Sequence, residues 1–211
     1  MRRRGRGRFL VLEGLDGAGT TTQAALLCAW LREQGSEVHL TAEPSRGPVG
    51  ALVRQILAGR VTGGKAGAVD PAALALLFAA DRLDHVASEV EPRLAEGCDV
   101  VSDRYALSSL AYQAVATGDA RWVEEINARA PAPDLTVFLD VRPAVALRRR
   151  FAVSAERELF EVPAFQRKVG LAYRRSIRRL LRMEQRVEVL PGEGSIAGVA
   201  AAVARAVGRL G

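Results

Sequence analysis

The 211-residue chain is 49% hydrophobic with a mean hydropathy of +0.05, which fits one globular α/β domain with a full core. No apolar run approaches the ~20 residues that cross a bilayer, and no charged, apolar and small-residue leader is visible, so a cytoplasmic protein without a membrane partner is expected. Arg2, Arg3, Arg4, Arg6 and Arg8 account for most of the net charge of +6, which describes a flexible basic arm over residues 1–7 rather than a specific nucleic-acid surface, and leaves residues 8–211 as a single domain.

The chain opens with Phe9-Leu10-Val11-Leu12, an apolar run that reads as a buried strand. It then turns through Gly14, Gly17 and Gly19 and enters a helical pattern led by Thr20, Thr21 and Thr22. A strand, a glycine-rich turn and a helix N-terminus make a phosphate-binding loop, because the first N–H groups of a helix face an anion. Gly14, Gly19 and Thr21 fit the usual spacing, but Thr20 stands where a lysine belongs. Glycine pairs at this spacing also arise by chance, so an ordinary strand–helix turn is the alternative.

Residues 23–32 continue as a helix that Gln34-Gly35 ends, and 37–41 alternate as a second strand. The stretch 43–48 is a loop by its Pro and Gly content, 49–57 is helical with Arg54 on it, and 59–67 is glycine-rich. Asp70-Pro71 starts a helix over 72–96, with a break or kink expected near Pro92. It carries Phe78 and Arg82 one turn apart on one face. A short strand over 99–102 ends in Asp103-Arg104-Tyr105, and a helix follows through Ser109, Tyr112 and Gln113. Residues 135–140 form a fourth strand and 144–150 a helix ending in Arg148-Arg149-Arg150. The stretch 151–161 is charged without a clear period, 165–183 is a long basic helix, 187–190 the last strand and 196–207 a closing helix. Cys28, Cys98, His39 and His85 are scattered, with no disulfide or zinc pattern. Five apolar strands alternating with helices predict a five-stranded parallel sheet covered on both faces, with its ligands at the carboxyl ends of the strands.

At that edge, backbone N–H groups from Gly17 to Thr21 can cradle nucleotide phosphates, and the Thr21 hydroxyl with Asp103 can hold Mg²⁺. Asp103 as a plain helix cap is the alternative. Arg46, Arg54 and Arg104 can clamp a second phosphate group, and Phe78 and Arg82 can receive a base. Arg148, Arg149, Arg150 and Arg157 could form a lid over about 148–161, or simply a solvated charged face.

These residues resemble the thymidylate kinases, a family with the P-loop kinase fold. The resemblance runs from Glu13-Gly14 and Asp16-Gly17 through Glu43-Pro44 and Arg54 to Phe78-Ala79-Ala80-Asp81-Arg82. It is most specific at Asp103-Arg104-Tyr105, Ser108-Ser109 and Tyr112-Gln113, and it returns at Pro133-Asp134-Leu135, Glu158-Leu159-Phe160-Glu161 and Phe165. It implies Mg²⁺-dependent transfer of the γ-phosphoryl group of ATP to dTMP, giving dTDP, by a homodimer. By position, Gly14, Asp16, Gly17, Ala18, Gly19, Thr20, Thr21 and Thr22 would bind ATP. Asp16, Arg54, Phe78, Arg82, Arg104, Ser109, Tyr112 and Gln113 would bind dTMP, and Asp103, Arg104 and the lid arginines would act in catalysis. Two departures stand out: Thr20 in place of lysine, and Ser45-Arg46 in place of the more common Gly-Gly-Thr. A lid arginine is expected to supply the missing charge. A nucleotide-binding protein without catalysis, and a kinase for another nucleoside monophosphate, are the alternatives.

Overall fold

The computed structural model describes residues 5–63, 67–153 and 162–210. Five strands, β1 (Phe9–Gly14), β2 (Val38–Ala42), β3 (Asp99–Asp103), β4 (Leu135–Asp140) and β5 (Val187–Pro191), form one parallel sheet in the order β2-β3-β1-β4-β5. Every residue of β1 is buried, because it lies at the centre with helices on both faces, whereas the edge strands β2 and β5 are partly exposed. Register sets Leu12 beside Asp103 and Gly14 beside Leu139, so the carboxyl ends of β1, β3 and β4 finish together.

The helices are α1 (Thr20–Glu33), α2 (Pro48–Leu57), α3 (Pro71–His85), α4 (Glu91–Ala95), α5 (Ala106–Thr117), α6 (Ala120–Asn127), α7 (Pro143–Val153), α8 (Pro163–Arg182) and α9 (Ile196–Gly208). On one face, α1 and α9 pack with Leu10, Leu12, Val101 and Val203 in the main core. On the other, α5 packs against α8 through Ala111, Tyr112, Val169 and Tyr173, and Phe9, Val11, Val86, Val90 and Leu94 form a second cluster below α3 and α4. Among the described residues no helix is long and apolar enough to cross a membrane.

The structure adds three details to the sequence reading. The helix over 72–96 changes course before Pro92, through a π-helical turn at Val86–Val90. Proline has no N–H to donate, and the preceding widened turn accommodates it, with the Glu91 N–H reaching back to Val86 O. Helix α6, with Asp119 capping Trp122 N–H at 3.0 Å, had no clear sequence signal because it is short, with three of its eight residues charged. Arg148, Arg149 and Arg150 lie on α7, as the helix read over 144–150 requires, and α7 runs on to Val153, while Arg157 and the Glu158 to Glu161 motif fall outside the described residues.

The basic arm is anchored where it meets the domain. Gly7 N–H donates to Leu94 O at 2.8 Å, Arg6 pairs with Glu91 and Asp134 at 3.3 and 3.5 Å, and Arg8 pairs with Asp99 at 2.5 Å.

Leu139 is fully buried in β4 among residues of the main core. Leu139→Ala should lower unfolding free energy by about 2–5 kcal/mol, through lost transfer energy and a cavity, read as a lower urea midpoint at unchanged slope.

Candidate active site

The loop after β1 is built around two glycines in the left-handed region, Gly17 (φ +85) and Gly19 (φ +96). Gly17 also lies against α7, where an added Cβ would stand 2.1 Å from Ala146 O, so both its conformation and its space require glycine. No side chain caps α1, and the N–H groups of Thr20, Thr21 and Thr22 have no protein partner among the described residues. They form the positive end of a 14-residue helix and are open to an anion. Thr20 itself is buried, and its methyl group faces Gly14.

The Thr21 hydroxyl donates to Asp103 Oδ2, while Asp103 Oδ1 is buried without a partner among the described residues. Two hard oxygens, one unsatisfied, suit a small divalent cation that completes its shell with water and phosphate oxygens. No cap contact joins Asp103 to α5; the helix cap position is Tyr105, whose side chain makes no capping bond.

Arg104 follows Asp103 with φ +73, an unfavourable conformation for a side chain of its size. Its Nη2 pairs with Asp16 Oδ1 at 2.6 Å and its Nη1 donates to Gly14 O at 2.9 Å, joining β3 to the loop after β1. The other Asp16 oxygen accepts from Gln166 at 3.0 Å. The nearby carboxylate helps hold the Arg104 guanidinium charged despite its partial burial, which raises its pKa.

Beyond this pair lies a cavity of about 140 Å³ lined by Asp16, Pro44, Phe78, Arg82, Tyr112 and Gln113, among others. Arg82 is almost entirely buried. Its Nη2 pairs with Glu43 Oε2 at 2.6 Å and reaches Ser109 Oγ at 3.1 Å, its Nη1 donates to Asn127, and its plane sits over the Tyr105 ring at 5.3 Å. The Arg82 Nε is buried without a partner among the described residues. Ser109 therefore supports Arg82 and is not among the residues that line the cavity.

Arg54 donates to Pro44 O at 3.0 Å and to Ser45 O, and so braces the loop before α2. That loop is held from the other side by Asp81, which accepts from Ser45 N–H at 2.7 Å and Ser45 Oγ at 2.5 Å. Arg46, with no hydrogen bond or ion pair among the described residues, lines a cavity of about 650 Å³ with Thr21, Arg54 and Asp103. Arg149 is engaged by Gly192 O at 2.9 Å.

The supporting residues Glu13, Glu43, Asp81, Asn127, Gln166 and Tyr173 escaped sequence reasoning as site residues. Glu13 had a signal, a lone acid closing a buried apolar strand. Glu43 had one too, an acid directly before Pro44 just past the end of a strand. Asn127 and Gln166 lie on helices whose sequences say nothing of what they face.

The sequence pattern of the family described as Thymidylate kinase matches residues 12–203 of this chain. A Pyrococcus horikoshii protein named "Probable thymidylate kinase" is 44% identical over 170 residues, which make up 80% of this chain and 82% of that protein. A Thermococcus gammatolerans protein of the same name is 39% identical over 195 residues, 90% of each.

Burial pushes the Glu13 carboxyl up to about 7, against the pull of Arg104 and of hydrogen bonds from Ser108 and Tyr105. The folded chain thus holds this proton more tightly than the unfolded chain, whose value is near 4.5. Stability from this group is full below that unfolded value and is lost as pH rises through the folded one, by up to about 3 kcal/mol. Urea midpoints measured from pH 4.5 to 8 should fall more steeply for the parent than for Glu13→Gln.

Proposed function

Because the chain belongs to the thymidylate kinase family, we propose that it transfers the γ-phosphoryl group of ATP to dTMP, giving dTDP. One observation carries this reading: the Arg104–Asp16 pair stands between the open N-terminus of α1 and the cavity lined by Phe78, Arg82 and Gln113. Phosphoryl transfer is mostly positioning and electrostatics, so two anion sites divided by one fixed guanidinium are the parts it needs.

In this reading the N–H groups of Thr20, Thr21 and Thr22 receive ATP phosphates. Thr21 and Asp103 hold Mg²⁺, which supplies neutralisation of phosphate charge when bound. Phe78 stacks on thymine, Arg82 Nε and Gln113 address its edge, Tyr112 closes the sugar side with Asp16, and Arg104 faces the dTMP phosphate. Exposed Leu52 on α2 and Leu76 and Leu83 on α3 support assembly as a homodimer through those helices. Two free cysteines suit a reducing compartment such as the cytoplasm.

The charge absent at Thr20 is assigned to Arg46. It is the arginine of the second loop that shares a cavity with both proposed metal ligands, and its guanidinium, without a partner among the described residues, can turn onto phosphate. Arg148 and Arg150 on α7 are secondary candidates, the latter because its backbone lies near Gly17.

An ADP-release assay with ATP, Mg²⁺ and each of dTMP, dUMP, UMP, CMP and AMP tests the activity. Turnover should be strongly selective for dTMP, since a site built to pair one base edge leaves buried groups unpaired with another. No turnover with dTMP, or equal turnover with all five, would overturn the assignment.

Arg46→Ala should lower kcat by ~100-fold, the scale of one preorganised electrostatic contact. Thr20→Lys should change the parent rate little but recover much of the rate lost in Arg46→Ala. A larger loss in Arg150→Ala than in Arg46→Ala would move the role to α7.

A further inference from the structure

Glu13 is the one acidic residue in β1, and its side chain is fully shielded from solvent. Side chains alternate along a strand, so Glu13 shares a face with Phe9 and Val11, which belong to an apolar cluster. Nothing in the packing of that row asks for a carboxylate.

Four donors converge on it. Tyr105 N–H and Ser108 N–H donate to Oε1 at 2.9 and 3.0 Å, Ser108 Oγ donates to Oε2 at 2.6 Å, and the Tyr173 hydroxyl donates to Oε2 at 3.1 Å. The two backbone donors are the cap position and first turn of α5, which has no capping side chain of its own. Glu13 thus caps α5 from the central strand, with its negative charge at the positive helix end. The two hydroxyl groups also touch Arg104: Nη1 lies 3.1 Å from Ser108 Oγ and 3.4 Å from the Tyr173 hydroxyl. Gly14 O accepts from Arg104 Nη1 at 2.9 Å and lies 3.1 Å from the Tyr173 hydroxyl, whose single proton goes to Glu13.

We propose that Glu13 is a positioning residue for phosphoryl transfer: by capping α5 and fixing Ser108 and Tyr173, it holds the Arg104 guanidinium between the phosphate loop and dTMP. The proposal rests on the kinase reading above, in which Arg104 faces the dTMP phosphate. A glutamine at position 13 could still accept the two N–H groups on its one carbonyl oxygen, but its amide nitrogen could not accept from the two hydroxyl groups, and it would leave the positive end of α5 without a counter-charge. The charged and titratable groups facing Glu13 are Arg104 from the β3–α5 junction, Tyr105 from the cap of α5 and Tyr173 from α8, with Asp16 and Tyr112 beyond Arg104. Tyr105 and Tyr173 are pushed up by burial and Arg104 is also raised, whereas burial brings Glu13 to about 7, so Glu13 changes charge near neutrality.

The test compares the full-length parent with Glu13→Gln, measuring kcat and KM for dTMP and for ATP from pH 6 to 9. The KM for dTMP should rise ~10-fold at pH 8, on the scale of one charge-assisted contact, with the KM for ATP changed less than about twofold. The phosphate of dTMP itself titrates near pH 6, so the readout is the parent-to-variant ratio of kcat/KM for dTMP. That ratio should climb several-fold between pH 6 and 8 as Glu13 ionises in the parent alone. A flat ratio, or equal losses for dTMP and ATP, would overturn the proposal, since a merely structural role has no reason to spare ATP or to follow pH.

Ser108→Ala and Tyr173→Phe serve if Glu13→Gln does not fold. Each keeps the carboxylate and removes one relay to Arg104, so each should raise the KM for dTMP by several-fold. Unchanged KM in both would overturn the proposal. A parent that turns over dTMP normally while these results fail would remove only the role of Glu13; a parent inactive on dTMP would remove the kinase reading itself.

Discussion

The ion pair between Arg104 and Asp16 ties the end of β3 to the loop after β1, and most of the site is arranged to keep it in place. Arg104 adopts a left-handed backbone conformation that a residue of its size resists. Its guanidinium is shared among Asp16, Gly14 O, Ser108 and Tyr173, so no single contact has to offset that strain. Asp16 in turn is fixed by Gln166 from α8 and by its N–H on the Tyr112 hydroxyl. The site is preorganised because the same atoms serve the fold and the anion sites.

A second buried ion pair has a different character. Arg82 and Glu43 are both nearly inaccessible to water, and Glu43 also meets His85, which bonds Thr41. Removing one partner of such a pair leaves an uncompensated buried charge and typically costs about 3–5 kcal/mol. An alanine at position 82 therefore reports on folding as much as on base recognition. Gln113 and Phe78, which line the cavity without buried ion partners, are cleaner probes of the base.

The parallel sheet and the phosphate loop were legible because both depend on local pattern. Apolar runs mark strands buried on two faces, and Gly14, Gly17 and Gly19 mark the turn. Strand order was not legible, since right-handed crossovers permit several orders from the same alternation. Asp103, Arg104, Phe78, Arg82 and Gln113 could be named from sequence, but not how they are held. Ser109 was expected at the base edge; that it accepts from Arg82 was not legible, because a helix sequence gives a face and not its depth. Glu13, Asp81 and Asn127 act through partners 36 to 160 positions away, and no short window contains both ends of such a bond.

The π-helical turn at Val86–Val90 sets the angular phase of everything between α3 and β3. One additional residue in a helical turn rotates the downstream helix by roughly a third of a revolution relative to a continuous α-helix. That rotation leaves His85 and Glu89 directed toward the edge strand, where they meet Thr41 and His39, and still turns Leu94 inward to the cluster under β3. A single-residue deletion here would shorten the segment by about 1.5 Å and swing Leu94 out of its apolar site. This stretch is therefore intolerant of length change in a way that its ordinary composition conceals, whereas substitution at its exposed positions Ala87 and Ser88 is not constrained by phase.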